Sequence, residues 1–167
     1  MSLGARLLLP AARGRDALAD ALARRGVTPD AVSWAAFALS LGAAWLLLVG
    51  GGDASPWSPG GGEPASMLPF AACCLVTASG FLDVVDGALA RRTGRASAYG
   101  AFLDSTLDRV ADLSWHLALA VHFARRGQDG LVALTVLAFS HGVLIAYMRA
   151  RAESLGADAS AAAIGFW

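Results

Sequence analysis

Long apolar runs separated by short polar stretches dominate the sequence. Residues 31–49, 67–82 and 131–148 contain no Asp, Glu, Lys or Arg, and about 20 mostly apolar residues suffice for a helix to cross a bilayer. Each run therefore predicts a membrane-spanning helix, and the second continues as an amphipathic pattern to Arg91. Residues 99–123 predict a further span that carries several charged side chains. The pattern predicts an all-α fold, a polytopic transmembrane helix bundle with four visible spans.

The N-terminal segment has a different pattern. Charged residues alternate with apolar ones at 16–25, where Leu18 and Leu22 lie one helical turn apart. This pattern is typical of an amphipathic helix that lies at the membrane surface, and a cytosolic helix is the alternative. We therefore divide the chain into an N-terminal interfacial helix at 1–26 and a transmembrane domain at 27–167.

The composition agrees with a membrane protein. Of the 167 residues, 56% are hydrophobic and 16% are charged, whereas soluble domains carry about 25% charged residues. The 13 basic residues are all Arg and are scattered, which excludes the basic stripe of a nucleic-acid-binding protein. Frequent Ala and Gly beside this exclusive use of Arg indicate a GC-rich bacterial coding sequence. The adjacent Cys73 and Cys74 have neither disulfide nor metal-site spacing.

The distribution of Arg predicts the orientation of the spans. Only Arg125 and Arg126 lie on a loop on the side of the membrane opposite to the N-terminus. The positive-inside rule places the other, Arg-rich side in the cytoplasm. We therefore expect a multi-pass protein of the bacterial plasma membrane. The Arg residues expected on the cytoplasmic side are Arg6, Arg13, Arg15, Arg24, Arg25, Arg91, Arg92, Arg95, Arg149 and Arg151.

Four aspartates stand out because they interrupt apolar helices. Asp83 and Asp86 lie three residues apart, and Asp104 and Asp108 lie four apart, so each pair shares one helix face. An Asp at the bilayer centre costs about 2.5–3.5 kcal/mol. Two divalent cations would balance four carboxylates, and hard oxygen ligands suit Mg²⁺ or Mn²⁺. The alternative is that these Asp residues form ordinary ion pairs with nearby Arg or are solvated at a helix end.

This arrangement indicates chemistry on a lipid-linked diphosphate. Two metal ions about 4 Å apart can clamp a diphosphate, and a carboxylate released by one metal could take a proton from an attacking hydroxyl. Gly87 and Gly100 leave room for a close approach of a ligand or of backbone. Arg149 and Arg151 end the last span, where they form either a phosphate clamp or an interfacial cluster beside anionic lipid. The active site is expected to face the cytoplasm.

The spacing of these residues resembles a known family motif. The pattern D-x2-D-G-x2-A-R-x8-G-x3-D-x3-D, at 83–108, matches that of the CDP-alcohol phosphatidyltransferases at every fixed position and gap. The resemblance implies transfer of a phosphatidyl group from CDP-diacylglycerol to an alcohol acceptor, with release of CMP and dependence on two Mg²⁺ or Mn²⁺ ions. The implied metal ligands are Asp83, Asp86, Asp104 and Asp108, with Asp108 also the general base. The implied donor-binding residues are Asp30, Ser33, Gly87 and Arg91.

Three further runs, VTPDAVS, GAFLDSTLDRVAD and RARAESLG, are similar to actinobacterial phosphatidylinositol phosphate synthases within that family. This similarity implies inositol phosphate as acceptor, with Arg149 and Arg151 binding its phosphate. Transfer to glycerol phosphate, as in phosphatidylglycerophosphate synthases, is the alternative. The family also implies a homodimer.

One departure and three competing functions accompany this interpretation. The family usually has six spans and four are visible, so we expect the last two spans to be missing from this sequence. An inactive fragment that binds the donor without turnover is therefore one alternative. An intramembrane prenyltransferase also uses Asp clusters and Mg²⁺, but nothing here matches its second motif. An acidic ion pathway would explain intramembrane Asp, but not the Gly, Ala and Arg positions of the motif.

Overall fold

The computed structural model describes residues 3–49 and 67–156, in which five α-helices and no strands occur. The helices are α1 (Leu3–Arg24), α2 (Pro29–Val49), α3 (Leu68–Thr93), α4 (Ala98–Ala124) and α5 (Asp129–Ser154). By length and composition α2, α3 and α5 can each cross a membrane. Helix α4 has 27 residues, which is long enough, but it carries the charges of the second half of the motif. The prediction of an all-α transmembrane bundle is confirmed.

The connection between α3 and α4 has a defined geometry. Helix α3 ends at Gly94, whose φ of 65° is left-handed and whose N–H bonds to the carbonyl of Ala90, as is common at helix C-termini. The N–H of Arg95 bonds to the same carbonyl at 3.0 Å. Helix α4 begins after Ser97, whose hydroxyl accepts a hydrogen bond from the N–H of Gly100 at 3.0 Å, a favourable cap. This short turn connects the two halves of the motif, and both helices pack against α2.

Small residues allow the spans to approach one another closely. Helix α2 packs against both α3 and α4, and α5 packs against α4. Small side chains at such interfaces favour close helix packing in membranes, and a Cβ at Gly42 would lie only 3.5 Å from Leu75. The buried residues of this contact are Ala43, Ala44, Leu47, Ala72 and Ala118.

Two hydrogen bonds between helices reinforce this packing. The hydroxyl of Ser79 on α3 donates to the carbonyl of Ala36 on α2 at 2.8 Å. The Nη1 of Arg125, at the end of α4, donates to the carbonyl of Leu48 at 2.6 Å. Such bonds stabilise helix pairs in a membrane by about 0.6–2 kcal/mol.

Helix α1 packs on the end of α3 that carries the motif. Arg92 forms ion pairs with Asp16 at 3.5 Å and with Asp20, and it also donates to the carbonyl of Asp16 at 2.5 Å. Ala19 of α1 is buried beside Leu89 of α3. The interfacial position of residues 1–26 and the domain boundary after them stay predictions. Residues 157–167, the end of the predicted transmembrane domain, lie outside the described residues.

We expect Leu89→Ala to lower the free energy of unfolding by about 2–5 kcal/mol, because it leaves a cavity where a fully buried side chain packed. The melting temperature of the full chain in detergent would report the loss. Leu134→Ala is the matched control, since Leu134 lies on α5 and is 61% exposed, and it should change the melting temperature little. Equal losses in both variants would contradict the packing of α1 and α2 on this end of α3.

Candidate active site

Three carboxylates converge from α3 and α4, which both pack against α2. One oxygen each from Asp83, Asp86 and Asp104 lies within 4.8 Å of the others. Three like charges at this distance repel one another strongly. Carboxylate oxygens are the ligands that Mg²⁺ and Mn²⁺ prefer, so the residues present fit a divalent metal ion.

Asp86 is the most enclosed member of this cluster. Its side chain is buried, with 4% relative exposure, and so is that of Ser33 on α2. The hydroxyl of Ser33 donates to Oδ2 of Asp86 at 2.5 Å. Helix α2 presents Ser33 one turn into the helix, which begins where the hydroxyl of Thr28 accepts a hydrogen bond from the N–H of Ala31 at 3.2 Å.

Asp108 lies beside the cluster and has a different partner. Its carboxylate is ion-paired with Arg109, which also contacts Asp112 at 3.2 Å. Asp108 nevertheless lines a small cavity of about 70 Å³ together with Asp83 and Asp104. Its predicted roles as a metal ligand and as a general base therefore stay predictions.

A larger cleft, of about 190 Å³, opens on the side of the cluster that faces the α3–α4 turn. The structure brings together in this cleft all four residues that the sequence predicts for donor binding. They are Asp30, Ser33, Gly87 and Arg91. A Cβ at Gly87 would lie 3.4 Å from Nη1 of Arg91, so glycine gives the guanidinium room to lie against the helix.

Arg95 and Ser97 also line the cleft, although neither is among the site residues predicted from the sequence. The available signal was Gly94, because a glycine after a helix predicts a left-handed turn that brings the next residues back towards the preceding helix. Arg92 instead contacts α1. Within the described residues, only one ion pair involves any of the four motif aspartates, and it joins Asp108 to Arg109.

The two predicted acceptor-binding residues lie at the C-terminal end of α5, outside this cleft. Arg149 is exposed and pairs with Glu153 at 3.2 Å, and Arg151 is also exposed. The short turn makes α4 and α5 antiparallel, and the rings of His116 and Phe139 lie 5.5 Å apart. Asp104 lies twelve residues before His116 on α4, and Arg151 lies twelve residues after Phe139 on α5. Because both helices rise about 1.5 Å per residue, Arg151 lies at about the level of Asp104.

Comparisons with known proteins agree with this site. Residues 26–165 match the family model of the CDP-alcohol phosphatidyltransferases. The chain is 37% identical over 147 residues to the phosphatidylinositol phosphate synthase of Cutibacterium acnes, covering 85% of this chain and 61% of the relative. It is 41% identical over 107 residues to the archaetidylinositol phosphate synthase of Aeropyrum pernix, covering 63% of this chain and 52% of the relative. The chain thus spans about half to three fifths of these relatives.

Solved structures show the same architecture. The crystal structure of the Mycobacterium tuberculosis phosphatidylinositol phosphate synthase with CDP-DAG bound superposes with a TM-score of 0.68 and 30% identity, covering 86% of this chain and 65% of that one. The complex of the same enzyme with manganese and citrate gives a TM-score of 0.67 at 30% identity, covering 85% and 61%. A bound divalent metal in that structure agrees with the carboxylate cluster described above. From the matched family model and these likenesses, the chain is a membrane protein that belongs to the CDP-alcohol phosphatidyltransferase family.

Proposed function

We propose that this chain transfers the phosphatidyl group of CDP-diacylglycerol to inositol phosphate and releases CMP. The observation that carries the proposal is the cleft in which Asp86 and Asp104, two members of the carboxylate cluster, adjoin two Arg side chains. The M. tuberculosis relative was solved with the same class of donor bound. The reaction would take place in the bacterial plasma membrane, with the cleft facing the cytoplasm and the chain forming a homodimer.

The charges of the cleft match those of a nucleoside diphosphate. Arg91 and Arg95 line its outer part, and guanidinium groups form paired hydrogen bonds with phosphate oxygens. Asp83, Asp86 and Asp104 would hold the metal, two Mg²⁺ or Mn²⁺ ions with Asp108 as a further ligand. When bound, two such ions neutralise the diphosphate and stabilise the leaving phosphate. Asp30 lies at the same cleft, beside Gly100, where it can accept hydrogen bonds from the nucleoside.

The cavity beside Asp108 supports the acceptor step. The acceptor hydroxyl oxygen attacks the phosphorus on the lipid side, and the bond from that phosphorus to the CMP oxygen breaks with its electron pair leaving on CMP. The hydroxyl proton passes to the carboxylate of Asp108. The cavity that Asp108 lines also reaches Asp83 and Asp104, so the proton acceptor and the metal-binding oxygens face one space.

Inositol phosphate is the acceptor that the relatives favour. The bacterial and the archaeal relative are named for different lipids, yet both names contain inositol phosphate. Arg151 lies near the level of Asp104. Among residues 3–49 and 67–156 it forms no ion pair. The pair of Arg149 with Glu153 is exposed, and such pairs contribute only about 0–1 kcal/mol, so phosphate can compete for Arg149.

CMP release by the purified full chain tests the proposed function. The chain would receive CDP-diacylglycerol and Mg²⁺ with inositol phosphate, glycerol phosphate, inositol or serine in separate reactions. We expect release with inositol phosphate, loss of release in EDTA, and recovery with excess Mg²⁺ or Mn²⁺. Release only with glycerol phosphate would show that glycerol phosphate, and not inositol phosphate, is the acceptor. Donor binding without release in any reaction would contradict the activity and identify an inactive fragment.

We expect Asp108→Asn to lower turnover by about 10²–10⁴-fold, because the amide cannot accept the hydroxyl proton. Binding of CDP-diacylglycerol should change little, since the three clustered carboxylates remain. Asp112→Asn is the matched control, because it removes the other carboxylate that contacts Arg109 one turn further from the cluster. Near-normal turnover of Asp108→Asn would show that Asp108 is not the general base.

Arg151→Ala should raise the KM for inositol phosphate by about 10–100-fold, the loss of one charge-assisted hydrogen-bonding group. The KM for CDP-diacylglycerol should stay within about twofold, because Arg151 lies outside the donor cleft. Arg24→Ala, which removes an exposed Arg at the end of α1, serves as the control. A similar rise in both KM values would indicate a structural Arg instead of an acceptor contact.

A further inference from the structure

We propose that Ser33 is a positioning residue that fixes the carboxylate of Asp86 for metal binding. The inference rests on the proposed function, because it takes the carboxylate cluster to be a divalent-metal site. It assigns Ser33 a role through Asp86, whereas the motif resemblance places Ser33 only near the donor.

The hydrogen bond from Ser33 is unusual among the hydroxyl side chains of this bundle. Most Ser and Thr hydroxyls on the described helices donate to a carbonyl one turn earlier in their own helix, as Thr77, Thr93, Ser114, Thr135 and Ser140 do. That bond is available to Ser33 as well, but its hydroxyl lies 3.3 Å from the carbonyl of Pro29 and 2.5 Å from Asp86. A hydroxyl has one proton to donate, and the shorter, charge-assisted bond to the carboxylate is the stronger.

Burial makes this bond consequential. Ser33 and Asp86 are 9% and 4% exposed, so water has little access to replace a lost partner. A buried carboxylate oxygen without a hydrogen bond is costly. The bond from Ser33 to Oδ2 restricts rotation of the Asp86 carboxylate. Partners of this kind, which orient metal ligands, typically change metal affinity by about 10–100-fold when they are removed.

The bond also lies between the two spaces of the site. Ser33 and Asp104 line both the 190 Å³ cleft and the 70 Å³ cavity. A rotated Asp86 carboxylate would therefore disturb the boundary between them. Packing alone does not require this bond, because Ser79 already joins α3 to α2 through the carbonyl of Ala36.

Mn²⁺ affinity of the full chain, measured without substrates from the electron paramagnetic resonance signal of free Mn²⁺, tests the proposal. We expect Ser33→Ala to weaken Mn²⁺ binding by about 10–100-fold. Ser33→Thr keeps the hydroxyl and should stay within about threefold of the parent chain. Ser40→Ala is the matched control, because Ser40 is another buried serine of α2, 3% exposed, and lines neither of the two spaces, so Mn²⁺ affinity should stay unchanged.

A second pair of variants tests the proposal even if Ser33→Ala folds poorly. Ser33→Thr and Ser33→Val have nearly the same shape and differ by the hydroxyl, so weaker Mn²⁺ binding in the Val variant alone supports the proposal. Unchanged Mn²⁺ affinity in Ser33→Ala or Ser33→Val would overturn it, as would equal losses in Ser40→Ala. If the parent chain itself bound no Mn²⁺, the metal site and hence the proposed function would fail first, which distinguishes the two failures.

Discussion

The convergence of negative charge from two largely apolar helices is the constraint on which the rest of this structure depends, with Asp86 buried and Asp83 exposed. Asp83, Asp86 and Asp104 converge within 4.8 Å on helices that otherwise present apolar side chains. Charged groups in such surroundings persist only when hydrogen bonds, opposite charges or a cation compensate them. The chain supplies the hydroxyl of Ser33 on one side and Arg91 on the cleft side, and the carboxylates can bind a divalent metal. The contact of α2 with α3 and the binding of a metal would therefore both compensate the negative charge of the same carboxylates.

The turn after α3 determines which Arg side chains serve the site. Arg91 and Arg95 lie on either side of Gly94 and both line the cleft. Arg92, about 100° further round the helix than Arg91, reaches α1 instead and binds two of its acidic groups. Two adjacent residues of α3 thus have different roles: Arg91 lines the cleft, and Arg92 holds the N-terminal helix. The left-handed glycine ends α3 at this point, so Arg95 lies in the turn that lines the cleft.

Much of the fold and part of the site could be predicted from the sequence, since apolar runs predict helices and helical spacing predicts shared faces. Family membership also decides against a prenyltransferase and an ion pathway. The pairing of Asp108 with Arg109, the position of Arg95 and the bond from Ser33 to Asp86 could not be predicted. The position of Arg95 depends on the path of a turn, and the bond from Ser33 to Asp86 depends on how one helix is rotated against another. The pairing of Asp108 with Arg109 depends on the side-chain rotamers of two adjacent residues of α4. Periodicity within one helix predicts none of these.

The two spaces that meet at the carboxylates have a stereochemical consequence. The larger one is lined by the turn-side ends of α3 and α4, and the smaller one lies further along the same helices, with Ser33 and Asp104 between them. Under the proposed reaction, a nucleotide that leaves into the first space and a hydroxyl that arrives from the second would lie on opposite faces of the phosphorus. Such an in-line displacement inverts the configuration at phosphorus, so a donor chiral at that atom would give a lipid of inverted configuration.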